Sequence, residues 1–93
     1  MIIGAMNLDI RIYDSHSLKD KRTVISSLKD KLRKKFNISI IESSFQDLWQ
    51  KSRISIVMVS NIKKNIDQSF DKIEEFIYKN MSGEILNSQR EYL

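Results

Sequence analysis

No cysteine and no proline occur among the 93 residues, and the only glycines are Gly4 and Gly83. Without cysteine there are no disulfides, thiolate metal sites, iron–sulfur ligands or cysteine nucleophiles, a composition compatible with a reducing compartment. Two glycines so far apart exclude a glycine-rich phosphate loop. No apolar run approaches the roughly 20 residues needed to span a bilayer, and Asn7 and Asp9 interrupt the N-terminal stretch before a signal-peptide core could form. The expectation is a cytoplasmic protein with no membrane partner. A content of 41% hydrophobic and 30% charged residues, with no linker or internal repeat, predicts one compact domain over residues 1–93.

Charge is present in surplus and is unevenly placed. The net charge is +4, yet the segment from Ser17 to Lys35 alone holds eight cations against Asp20 and Asp30, a local +6. The remainder, eight cations against ten carboxylates, is −2. One segment therefore carries the whole surplus. Such a surface either meets a polyanion, RNA or an anionic membrane, or is a solvated face that keeps a small protein soluble.

Apolar periodicity gives the elements. Residues Ile2 to Tyr13 alternate, with Ile2, Gly4, Met6, Leu8, Ile10 and Ile12 on one side, as a strand with one buried face does. Ser17, with Asp20 three residues on, resembles a capping box and predicts a helix from Leu18 to about Lys35. Ile38 to Glu42 reads as a second strand, Phe45 to Lys51 as a connection, and Arg53 to Ser60 as a central strand apolar on both faces. Ser60 or Asn61 can cap a second helix through Ile66, Phe70, Ile73 and Ile77, and Glu84 to Tyr92 completes the chain as a last strand. The order βαββαβ predicts an α+β ferredoxin-like sandwich: a four-stranded antiparallel sheet with two helices on one face. The opposite face, with Ile3, Ala5, Val57 and Val59 among polar neighbours, either supports a homodimer or stays exposed in a monomer.

On the first helix, Lys19, Arg22, Lys29 and Arg33 form a ridge about 20 Å long at 1.5 Å rise per residue, which a phosphate backbone can follow. Lys21 points toward the apolar arc, where its stem packs or its ammonium snorkels outward. Phe45, Leu48 and Trp49 either close the end of the sheet or leave an indole beside Lys51 and Arg53 to stack an unpaired base. His16 is the sole histidine and has no second ligand or nucleophile beside it, so neither a metal site nor a catalytic site is expected. Other known uses of the fold are also disfavoured. There is no cysteine pair for metal carriage, no anion-cradling loop after strand one, and no aromatic pair on the central strands for an RNA-recognition motif.

Four blocks then carry a family resemblance: His16-Ser17-Leu18-Lys19-Asp20-Lys21-Arg22, Phe36-Asn37-Ile38-Ser39, Gln46-Asp47-Leu48-Trp49-Gln50 and Val59-Ser60-Asn61. Together they resemble the bacterial YlxP-like family of small proteins across essentially the whole chain. Asp20, where glutamate is common, and Ser43-Ser44-Phe45 depart from the usual pattern. The resemblance implies a ferredoxin-like fold and an RNA-binding role connected with the small ribosomal subunit, because genes of such proteins often neighbour those of a ribosome-binding maturation factor and an initiation factor. It implies no catalytic residue and no cofactor. The expected function is a non-enzymatic RNA-binding or ribosome-associated protein whose contacts are Lys19, Lys21, Arg22, Lys29, Arg33 and Trp49. The alternative is a homo-oligomeric interaction or small-ligand module using the open sheet face.

Overall fold

A computed structural model describes all 93 residues. The elements are β1 (Ile2–Ile12), α1 (Leu18–Lys35), β2 (Ser39–Ser44), β3 (Lys51–Ser60), α2 (Lys63–Asn80) and β4 (Gly83–Tyr92). The strands form one antiparallel sheet in the order β2-β3-β1-β4. The two strands joined by α1 are thus parallel to each other and separated by β3, and both helices cover one face. This is the ferredoxin-like α+β sandwich that the periodicity predicts.

The core lies between sheet and helices. Met6, Leu8, Ile10 and Ile12 of β1 and Ile54 and Ile56 of β3 meet Ile25, Leu28 and Leu32 of α1 and Ile66, Phe70, Ile73 and Ile77 of α2. Strand residues recur at every second position and helix residues at every third or fourth, the two periods on which their faces depend. Every buried side-chain polar atom has a hydrogen-bond partner.

Local chemistry explains the boundaries. Ser17 Oγ accepts from Asp20 N at 3.0 Å while the Asp20 carboxylate accepts from His16 N at 3.1 Å, a capping box closed one residue early. Lys35 ends α1 amid Arg33 and Lys34, cations that suit the negative end of the helix dipole. The second helix starts differently from the expected Ser60 or Asn61 cap. Its N-cap is Ile62, which has no capping side chain, and Ser60 Oγ instead accepts from Ile62 N ahead of the first turn. The second strand runs two residues past Glu42, because the pairing with β3 shifts register between Glu42 and Ser44 and thereby reaches Arg53. In β4 a bulge leaves Leu86 without a partner, since Asp9 pairs with Asn87 and Ile10 with Ile85.

Both glycines sit where backbone and neighbour touch. A Cβ on Gly4 would overlap Ile66 Cγ2 and stand 3.2 Å from the Phe70 ring, so this position lets α2 rest directly on β1. A Cβ on Gly83 would collide with the Arg11 carbonyl and lie 2.9 Å from Met81 Cε. Gly4→Ala is expected to lower unfolding free energy by about 1–3 kcal/mol, the usual cost of overpacking. Gly83→Ala, which must displace backbone, should cost more; urea denaturation followed by far-ultraviolet circular dichroism measures both.

Candidate nucleic-acid interface

The exposed side of α1 is a shallow polar trough of about 840 Å³ lined by Lys19, Arg22, Lys31 and Lys34, with Thr23, Ser26, Ser27 and Asp30 between them. No carboxylate lies within ion-pair distance of Lys19, Arg22, Lys29, Lys31 or Lys34. Most acids outside α1 pair with other cations. Asp9 holds Arg53, Glu84 holds Arg11, Glu75 holds Lys79, and Asp71 and Glu74 hold Arg90 at 2.8 and 3.2 Å. Fifteen residues separate Lys19 from Lys34, a rail about 22 Å long at 1.5 Å per residue.

The composition of this rail differs from the ridge read off the sequence. Lys19 and Arg22 belong to it. Lys29 is half-buried on the flank, and Arg33, one turn further along that flank, donates from Nη2 to the Ile40 carbonyl at 3.1 Å and stands 3.6 Å from Asp30. Arg33 thereby satisfies a carbonyl of β2, an edge strand whose unpaired groups would otherwise invite another chain. Lys31 and Lys34 take its place on the outer face. The signal for them was available, because the arc opposite Ile25, Leu28 and Leu32 is centred on Thr23, Asp30 and Lys34.

Lys21 is a correction. Its side chain is 1% exposed, and its Nζ stands 2.8 Å from Glu42 Oε2 and donates to the Phe45 carbonyl. Ser52 Oγ donates to the same carboxylate oxygen at 2.6 Å. An ammonium with such partners, sealed between α1 and the sheet, touches no external ligand. Its task is to tie α1 to the end of β2 and to the loop that follows. Phe45 occupies left-handed backbone at φ 62°, an outlier for a bulky residue, and surroundings hold it there. Its carbonyl also accepts from Leu48 N at 3.1 Å, while Lys51 and Arg53 lie 4.4 and 5.1 Å from its ring centroid.

This anchoring decides the question of Trp49. Phe45 is half-buried, but Leu48 is 46% exposed and Trp49 53% exposed, so neither closes the end of the sheet. Gln50 fastens the far side of the loop, donating from Nε2 to the Ser15 carbonyl at 3.0 Å, while its own carbonyl accepts from Ile12 N at 2.9 Å. Burying an apolar side chain stabilises a fold by about 1.5–3 kcal/mol, and this loop forgoes that gain at two neighbouring positions. Trp49 stands in a depression of about 520 Å³ with Arg11, His16 and Lys51. Sequence reasoning missed Arg11 because it lies on a strand remote from the basic helix; the sheet register sets it directly opposite Lys51.

The Lys21 contacts make a stability test. Lys21→Met is expected to cost about 2–4 kcal/mol, near the lower end for breaking a buried pair because Glu42 keeps some solvent, and Lys21→Met/Glu42→Leu should recover much of it. Urea midpoints decide, with Lys19→Gln, expected within about 0.5 kcal/mol of the parent, as the surface control. A second test concerns acid. The Arg53 guanidinium, bonded to Asp9 at 2.7 Å, holds the Asp9 carboxyl below its ordinary range and its own value is raised in turn. The pair therefore stabilises above the unfolded carboxyl value of about 3.9, and that contribution disappears as pH falls through the lower native value. Asp9→Asn should lose less stability than the parent between pH 5 and pH 2.5, by urea titration at each pH.

One solved structure shares this fold and one sequence relative shares its pattern. The solved structure of the de novo designed protein Ferredog-Diesel shares the fold at a TM-score of 0.51, with 13% identity over 96% of this chain and 83% of that one. In sequence, the chain is 34% identical over 76 residues to the uncharacterized protein YlxP of Bacillus subtilis (strain 168), covering 82% of this chain and 83% of that protein. This bears out the resemblance to YlxP-like proteins. The model of the family described as a protein of unknown function (DUF503) matches residues 3–90, and the chain belongs to that family.

Proposed function

We propose that this is a non-enzymatic, cytoplasmic RNA-binding protein that associates with the small ribosomal subunit and assists its maturation. The observation that carries the reading is the outer face of α1, where Lys19, Arg22, Lys31 and Lys34 outnumber the single carboxylate of Asp30 and none of the four stands within ion-pair distance of an acid. Cations left unpaired at this spacing attract a phosphate backbone, and Thr23, Ser26 and Ser27 keep the middle of the face low enough for it to approach. The small-subunit assignment follows from what the family resemblance implies. Lys29 and Arg33 contribute from the flank to the field rather than to contact.

Replacing Lys19, Arg22, Lys31 and Lys34 by Gln should leave the circular dichroism spectrum and urea midpoint nearly unchanged. Binding to ribosomal RNA or to isolated small subunits should fall at least tenfold in about 0.1 M salt. Four lost phosphate contacts should also flatten the slope of log K against log salt by roughly 3 to 4. Filter binding or fluorescence anisotropy across a salt series measures both, and unchanged affinity and slope would remove α1 as the site.

A second reading has its own observation. At one end of the open sheet face Ile3 pairs with Val59 and Ala5 with Val57, and Val59 is 55% exposed. That apolar end suits a second copy of the chain in a homodimer. Sedimentation equilibrium should then show a dimer at micromolar concentration that Val59→Lys converts to monomer.

A further inference from the structure

We infer that the indole of Trp49 is a stacking platform for an unpaired nucleobase, so that the strand whose phosphates follow α1 is single-stranded where it reaches the β2–β3 loop. This rests on the RNA reading above and narrows its ligand to single-stranded RNA.

The argument begins with the surroundings of the ring. Arg11, His16 and Lys51 line the depression around Trp49, with no carboxylate among its lining residues. Arg11 and Lys51 are opposite one another across β1 and β3, a like-charge pair that costs stability unless something negative comes between or beside them. Glu84 stands 3.4 Å from Arg11, while Lys51 lies over the face of Phe45 and has no carboxylate within ion-pair distance, Asp9 acting on it only from further off. A nucleotide supplies both things the depression lacks: a π-face for the indole and a phosphate for the cations.

The platform is also joined to the rail. His16 precedes Ser17, the N-cap of α1, and Gln50 binds the Ser15 carbonyl. Lys21, in the first turn of α1, binds the carbonyl of Phe45 at the start of the same loop. The loop that bears the indole is therefore fastened to the end of α1 that carries Lys19 and Arg22, and a strand reaching both passes round that end of the sandwich. A duplex fits poorly, because its bases already stack on each other and offer no free face to a side chain on a loop.

Trp49 is the only tryptophan, so its fluorescence reports on this position alone. The full-length protein is titrated with a 12-nucleotide oligoadenylate and with a 12-base-pair RNA duplex. The expected result is marked quenching by the single strand and little by the duplex. Trp49→Ala should weaken single-strand affinity about five- to a hundredfold, as loss of one base stack does, with Trp49→Phe close to the parent and duplex affinity unchanged. If Trp49→Ala binds the single strand as tightly as the parent while the four-residue α1 variant does not, the platform is overturned and the phosphate rail stands. If the parent binds neither RNA, both fall. Acrylamide quenching without RNA tests the remaining occupant. Access falling with rising protein concentration would assign the indole to a contact between copies and overturn the platform.

Discussion

A single buried ammonium organises one end of this molecule. Lys21 lies on the inner face of α1 among Ile25, Leu28 and Leu32, where a hydrocarbon would be expected, and its charge is met by Glu42 and the Phe45 carbonyl. A buried ion pair contributes little net stability compared with packed hydrocarbon. What this one provides is position. It joins the start of α1 to the end of β2 and holds Phe45 in a backbone conformation that turns the following residues outward. Leu48 and Trp49 are exposed on the loop that this contact anchors.

The same economy of carboxylates shapes the neighbouring helix and the edge strand beside it. On α2 and β4 the acids Asp67, Asp71, Glu74 and Glu75 gather round Lys63, Lys79 and Arg90 and neutralise them. On α1 only Asp20 and Asp30 are present; Asp20 faces the helix start and Asp30 lies near Arg33. The helix dipole adds positive potential at the end nearest Trp49. The protein consequently has one strongly cationic helix and one balanced helix, although both pack on the same sheet through apolar residues at helical spacing.

The open sheet face is graded along its strands. From Ile3 and Val59 it passes through a polar band, in which Ser55 Oγ bonds Asn7 Oδ1 at 2.5 Å and Arg53 grips Asp9, to the cationic end at Arg11 and Lys51. This gradient separates an apolar end at Ile3 and Val59 from a cationic end at Arg11 and Lys51, beside which Trp49 stands.

Much of this was written in the one-dimensional pattern. Alternation in Ile2 to Ile12, helical spacing from Leu18 to Lys35 and the Ser17–Asp20 pair determine strand, helix and cap, because each depends on residues within a turn or two of one another. The excess of cations on α1 is legible for the same reason. Which of them stay unpaired at the surface was decided only in three dimensions. Lys21 and Arg33 look like their neighbours in sequence, yet one meets Glu42 and the other the Ile40 carbonyl, partners supplied by β2 only after the helix docks. Trp49 looks like a core residue until Gln50 and Lys21 fasten its loop from both sides, and Arg11 joins the site only through register across β1 and β3. Periodicity is a property of neighbouring residues, whereas availability for binding depends on which groups the folded chain has already paired.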